Sequence, residues 1–186
     1  MSDHQLESIS PWVRRFAPLI PSGEVLDLAC GRGRHSRHLA ALGHAVVAVD
    51  HNSDSLLEAA GPDIVTSQID LEADDAVWPF GEQRFAGIVV TNYLHRPLIA
   101  AMLGSLAPNG VLIYETFSEG NGQFGKPSNP AFLLAPGELL AWAAQHGLRV
   151  VAFEDGRVDG PKPALVQRVC AVKPEFPRVA ALLPSF

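Results

Sequence analysis

The sequence predicts an α/β protein with a doubly wound, mostly parallel, seven-stranded Rossmann-like sheet that ends in an antiparallel hairpin. Three observations carry this. Short apolar runs alternate with helical stretches through the first five strands, which argues for a parallel sheet covered on both faces. The last two apolar runs, 148–154 and 164–172, are separated only by the loop D-G-R-V-D-G-P-K-P. With no crossover helix between them they should pair antiparallel. And the first run, V-L-D-L-A-C-G-R-G, drives a buried strand straight into a glycine turn.

The elements follow in order. Residues 10–19, S-P-W-V-R-R-F-A-P-L, form a short helix, with Ser10 as N-cap and Pro11 in the first helical position. Pro18 and Pro21 end it. A strand covers 24–29. R-H-S-R-H-L-A-A-L, 34–42, is a helix closed by Gly43. A second strand, 45–49, ends in Asp50, and Asn52 or Ser53 caps a helix reaching about Ala60. The third strand, 63–69, ends at Asp70. The acidic stretch L-E-A-D-D-A-V-W-P-F-G-E-Q-R-F is a loop. Strand four is 86–91, followed by a helix from Pro97 to Leu106 that stops at the turn A-P-N-G. Strand five is 111–117. A Gly/Pro/Asn-rich loop fills 118–136, and a helix then runs to Gly147 before the hairpin.

Composition narrows the function classes. At 186 residues the chain reads as a single domain, 1–186. Residues 1–22 would form an N-terminal helical segment over a cofactor site, and 118–136 an acceptor-side loop. A net charge of -6 disfavours a broad basic surface, so nucleic acid is not expected as a partner. Two distant cysteines, Cys30 and Cys170, point to a reducing cytoplasm. The N-terminus lacks an apolar signal core, and no run reaches the ~20 apolar residues of a membrane span.

Ligands of such sheets bind outside the carboxyl ends of the strands, at the topological switch point. The residues there are Asp27 towards the end of strand one, then Gly31 and Gly33, Asp50 and His51 at the end of strand two, and Asp70 and Leu71 at the end of strand three. Strand four brings Thr91, Asn92 and Tyr93, with His95 beyond. Carboxylates gathered at one rim repel one another, so the site should bind donors or a cation. A pyrophosphate would need the opposite. The turn G-R-G-R-H-S also lacks the third glycine of the dinucleotide fingerprint.

S-adenosylmethionine suits the set, because it carries an ammonium, a ribose diol, an adenine and a sulfonium but no phosphate. Asp27 can receive the ammonium directly or through water. Gly31 and Gly33, which have no Cβ, let the backbone approach the methionine part, and Ala29 and Cys30 belong to the same cofactor-binding turn. Asp50 can accept both ribose hydroxyls, and Asp70 with Leu71 can read the adenine. Tyr93 or His95 could act as a base or orient an acceptor, and Glu115 at the end of strand five also faces the rim.

V-L-D-L-A-C-G-R-G-R-H, V-V-A-V-D, Q-I-D-L-E, F-A-G-I-V-V-T-N-Y-L-H and L-A-P-N-G-V-L-I-Y-E stand here in one order and spacing. In this the sequence resembles the class I S-adenosylmethionine-dependent methyltransferases. The R-H-S turn, the small size and a phenylalanine-glycine loop before P-G-E-L resemble the tellurite-resistance type within them. The resemblance implies S-adenosylmethionine as cofactor and a small-molecule methyl acceptor. Two positions depart from the pattern. Ala29 stands where a glycine is frequent, which asks for a negative φ. And where the tellurite type has a His-Arg pair between the last strands, this chain has Arg157 and Lys162.

Structural readings stand beside these. Asp27 could cap the following loop, and Asp50 could be a helix cap only. His35 and His38 lie near Cys30 but lack a third and fourth metal ligand, so no metal is expected. Trp12, Arg14 and Arg15 could cover the cofactor or pack on the sheet. Phe124 and Phe132 could shape an acceptor pocket or pin their loop. An NAD-dependent oxidoreductase and a non-catalytic S-adenosylmethionine-binding protein remain the alternatives.

Overall fold

The computed structural model describes residues 8–160 and 162–181, so the start of the expected N-terminal segment, 1–7, lies outside the described residues. The strands are β1 (Val25–Leu28), β2 (Val46–Asp50), β3 (Ile64–Gln68), β4 (Phe85–Thr91), β5 (Leu106–Phe117), β6 (Arg149–Val158) and β7 (Ala164–Val172). They make one sheet in the order β3-β2-β1-β4-β5-β7-β6. β1 to β5 run parallel, while β7 is antiparallel to both β5 and β6. The doubly wound sheet with its closing hairpin is therefore the observed fold.

Burial explains the run-like strand sequences. β1 and β4 are buried at every residue, as strands covered on both faces must be. β3 lies at the edge and is half-exposed. Helices α1 (Pro11–Phe16), α2 (Arg34–Ala41) and α3 (Ser53–Ala59) are joined by α4 (Ile99–Gly104) and α5 (Glu138–Gln145). One face of the sheet packs Leu26, Leu28, Ile88 and Val90 against Met102 and Leu103 of α4 and Leu139 of α5. The other packs Val25, Val46 and Val89 against Trp12, Val13 and Phe16 of α1 and Leu39 of α2.

Local chemistry sets the boundaries. The Ser10 hydroxyl accepts from the Trp12 and Val13 amides, so it is the N-cap of α1. α1 ends at Phe16 and one 3-10 turn, Ala17–Leu19, completes the expected segment. Asn52, rather than Ser53, caps α3 by accepting from the Ser55 amide. The crossover from β3 to β4 has no helix; Trp78 and Phe80 of the acidic stretch pack on the core instead. β5 starts earlier than expected. Phe85 faces Leu106 while Gly87 already faces Val111, so 107–110 loop out as the A-P-N-G turn inside one long strand. β6 runs on to Val158, which places Arg157 on the strand rather than in the loop.

Candidate cofactor site

A cleft of about 350 Å³ opens over the carboxyl ends of β1, β2 and β4 and the segment after β3. This is the switch point, where the chain order reverses between β1 and β4. Ala29, Cys30, Gly31, Asp50, His51, Asp70, Leu71, Thr91, Asn92 and Tyr93 line it together. Asp27, Gly33 and His95 are not among its lining residues.

Asp50 organises the cleft. Its Oδ2 accepts from the Gly31 amide at 2.8 Å and its Oδ1 from the Asn52 amide at 2.9 Å. A carboxylate has about four acceptor positions, and with the His51 Nδ1 3.5 Å from Oδ1 the position left for a ligand donor is on Oδ2. Its second reading, as a cap, belongs to Asn52. Asp70 is exposed and accepts from the Glu72 amide at 3.0 Å, which shapes the turn beyond β3.

The glycine loop is built from left-handed residues. Gly31 has φ 52° and Gly33 φ 73°. A Cβ on Gly31 would meet nothing within 4 Å and would project into open space, as a ligand cradle requires. A Cβ on Gly33 would lie 2.6 Å from the Ala59 Cβ. Gly33 therefore serves the approach of α3 to the loop, and it is not among the residues that line the cleft. Ala29 has φ 54°, not the negative value its side chain asks for. The αL position costs an L-residue roughly 1–2 kcal/mol, which the loop imposes all the same.

Asp27 also departs from expectation. It is 1% exposed, and Ser36 of α2 donates its hydroxyl to Oδ2 at 2.5 Å. The period-two alternation of β1 is the reason. Asp27 shares its face with Val25, beneath α2, and not with Leu26 and Leu28. Burial pushes its pKa up to about 6, against the hydrogen bonds from Ser36. It braces α2 from below and is not among the residues that line the cleft. Cys30 is buried, and burial followed by the charges of Asp27 and Asp50 keeps its thiol protonated.

At the β4 end, Asn92 is left-handed at φ 56°, and its amide donates to the Glu115 carbonyl at 2.9 Å. Tyr93 is half-buried over the cleft. Burial, and then the neighbouring Glu72 carboxylate, raise its phenol well above the ordinary value. His95 opens the 3-10 turn Arg96–Leu98, away from the cleft. Glu115 is held by the Ser10 hydroxyl at 2.8 Å and Arg168 at 3.1 Å. Trp12 and Arg15 pack on the sheet, with the Arg15 guanidinium 4.8 Å from the Phe16 ring centroid, so neither covers the cleft.

The loop 118–136 is fastened at several points. Gln167 donates to the Ala135 carbonyl at 2.7 Å, and Asn121 accepts from the Leu165 amide at 3.0 Å. Arg96 donates to Glu138 at 2.7 Å and to the carbonyls of Ala131 and Leu133, both at 2.8 Å. Phe132 is exposed, while Phe124 lies beneath the Arg157 guanidinium at 5.4 Å. Sequence reasoning missed Arg32, Arg34 and Glu72 as lining residues. It weighed the strand-end carboxylates, the glycines of the first turn and the residues after strand four, but no basic group of the first turn. The G-R-G-R spacing, which places basic groups on the loop itself, was the available signal.

Residues 25–110 match the family described as a methyltransferase domain. No curated protein matches the chain. Among solved structures, TehB from Haemophilus influenzae superposes with a TM-score of 0.72 at 22% identity, covering 89% of this chain and 62% of its own. This chain thus spans less than two thirds of that protein's length. An S-adenosylmethionine dependent methyltransferase from Mesorhizobium loti gives 0.68 at 17% identity, covering 88% and 96%. The Burkholderia thailandensis 1,6-didemethyltoxoflavin-N1-methyltransferase, with 1,6-didemethyltoxoflavin and S-adenosylhomocysteine bound, gives 0.61 at 22% identity, covering 87% and 76%. Residues 25–110 carry the methyltransferase-domain match, and the described chain has the fold of the class I S-adenosylmethionine-dependent methyltransferases.

Proposed function

We propose that the protein binds S-adenosylmethionine in this cleft and transfers its methyl group to a small-molecule acceptor. The carrying observation is the Asp50 carboxylate, locked by two backbone amides and facing a cleft into which Gly31 leaves open space. When bound, S-adenosylmethionine supplies a methyl carbon on a positive sulfur, so the protein needs only to align an acceptor and exclude water. Asp50 accepts a ribose hydroxyl, Gly31 admits the chain between ribose and amino acid, and Asp70 lies at the adenine end. Arg34, in the first turn of α2, lines the same cleft. Tyr93 stays protonated, which suits a donor that orients the acceptor better than a base. His95 stands outside the cleft and would act only on an acceptor reaching beyond it.

Arg32 and Arg34 share the lining with Asp50, Asp70 and Glu72, so what disfavours a nicotinamide dinucleotide is the turn G-R-G-R-H-S, which lacks the third glycine of that fingerprint. The working unit is the single sheet, with 118–136 on the acceptor side. No helix among the described residues is long and apolar enough to cross a membrane. With both cysteines free and buried, the protein suits the cytoplasm. Calorimetry with S-adenosylmethionine and S-adenosylhomocysteine tests the reading. Asp50→Ala should weaken binding by at least ~1 kcal/mol, the scale of a charge-assisted hydrogen bond. Unchanged affinity in that variant would contradict it.

A further inference from the structure

We infer that His35 is a positioning residue that turns the Thr91 hydroxyl into a hydrogen-bond donor for the carboxylate of the cofactor's amino-acid end. This rests on the reading of the cleft as an S-adenosylmethionine site.

The argument is one of donors and acceptors. His35 lies in the first turn of α2 and is 2% exposed. The Ser10 backbone amide sits 3.1 Å from its Nε2. An amide N–H only donates, so Nε2 is the acceptor and carries no proton. Burial, reinforced by Arg34 and His38, pushes His35 down to about 3 and keeps the ring neutral. A neutral imidazole must hold its one proton somewhere, and Nδ1 is the remaining place. Nδ1 lies 3.3 Å from the Thr91 Oγ1. It therefore donates to that oxygen, and Thr91 cannot return its own proton to the ring.

The Thr91 hydroxyl has no second partner among the described residues, and Thr91 lines the cleft. Its O–H is thus directed to whatever the cleft holds. The strand order says which end of the ligand that is. Asp50 ends β2 and Asp70 lies just beyond β3, on one side of β1, while Thr91 ends β4, on the other. A nucleoside placed over β2 and β3 leaves its amino-acid part over the gap between β1 and β4. Of the polar groups at that end the ammonium and sulfonium are cationic, so the carboxylate is the acceptor. The same relay ties the cap of α1, through the Ser10 amide, to the floor of the cleft.

The test compares two ligands by calorimetry, S-adenosylhomocysteine and 5′-methylthioadenosine, which has no amino-acid part. Thr91→Val removes the hydroxyl without changing shape. It should weaken S-adenosylhomocysteine about tenfold, the scale of one hydrogen bond to a charged group, and leave 5′-methylthioadenosine unchanged. Thr91→Ser should restore affinity. His35→Leu should reproduce the loss, with no further loss in the double variant. His35→Gln, which can accept from Ser10 and donate to Thr91, should recover most of it. If Thr91→Val binds S-adenosylhomocysteine like wild type, or loses both ligands equally, the inference is overturned while the cofactor reading stands. If wild type binds neither ligand, both fall.

Discussion

Asp27 illustrates how one residue's burial becomes a property of the whole chain. Its acid is wholly buried and its pKa is raised by that burial to about 6. The folded state thus holds the proton more tightly than the unfolded chain does. The stability this contributes is fully present below about pH 4 and is lost as the pH rises through about 6. A shift of two units corresponds to roughly 3 kcal/mol. Asp27→Asn cannot ionise, so its stability should lack this slope. In urea denaturation, wild type should lose on the order of 2–3 kcal/mol relative to the variant between about pH 4 and about pH 8. Parallel stability curves would mean that Asp27 titrates alike in both states. The same variant should still bind S-adenosylhomocysteine, since Asp27 lies behind Ser36 and not in the cleft. Asp50 was legible from the sequence because a strand-terminal acid after an apolar run must lie at the rim. Asp27 was legible as special but not in direction. Alternation fixes which residues share a face, not which face the cleft opens on. The sign of φ at Ala29 was hidden for a related reason, since the loop and not the residue dictates it.

At the scale of the element, the two glycines between β1 and α2 do different work. Both are left-handed, so either Gly→Ala change strains the backbone by roughly 1–2 kcal/mol. At Gly31 the added methyl meets only the cleft, whereas at Gly33 it enters the Cα and Cβ of Ala59 in α3. Gly33→Ala therefore adds overpacking of about 1–3 kcal/mol, and its main effect should be a lower melting temperature. Gly31→Ala should melt closer to wild type but bind S-adenosylhomocysteine far more weakly, because its methyl occupies ligand space. Thermal unfolding and calorimetry on the two variants separate these outcomes; a reversed pattern would place the ligand elsewhere. The need for glycine was readable in the sequence, but the neighbour was not, since α3 reaches Gly33 only through tertiary packing. The loop 118–136 shows the same division. Its Gly, Pro and Asn content marked it as irregular chain. Its fastening by Arg96, Asn121 and Gln167 depends on residues far away in sequence, and no local pattern reveals it.

Over the whole molecule, the order β3-β2-β1-β4-β5-β7-β6 puts β1 and β4 side by side with their chain continuations diverging. That divergence opens the cleft and gathers at one rim residues as distant in sequence as Cys30 and Tyr93. A ligand held there touches segments from β1, β2, β4 and the turn after β3 at once. It can do so only in the folded sheet, so binding must stabilise the whole fold. At a free concentration 100 times the dissociation constant the gain is about 2.7 kcal/mol. For a domain of this size that raises the melting temperature by roughly 5–10 °C. S-adenosylhomocysteine should produce such a shift and Asp50→Ala should blunt it. NAD at the same concentration should leave the melting curve in place, because the turn G-R-G-R-H-S lacks the third glycine of the dinucleotide fingerprint. A shift with NAD and none with S-adenosylhomocysteine would reverse the assignment of the cleft while leaving the fold untouched. The fold fixes where a ligand binds, and the residues on the rim fix which ligand it is.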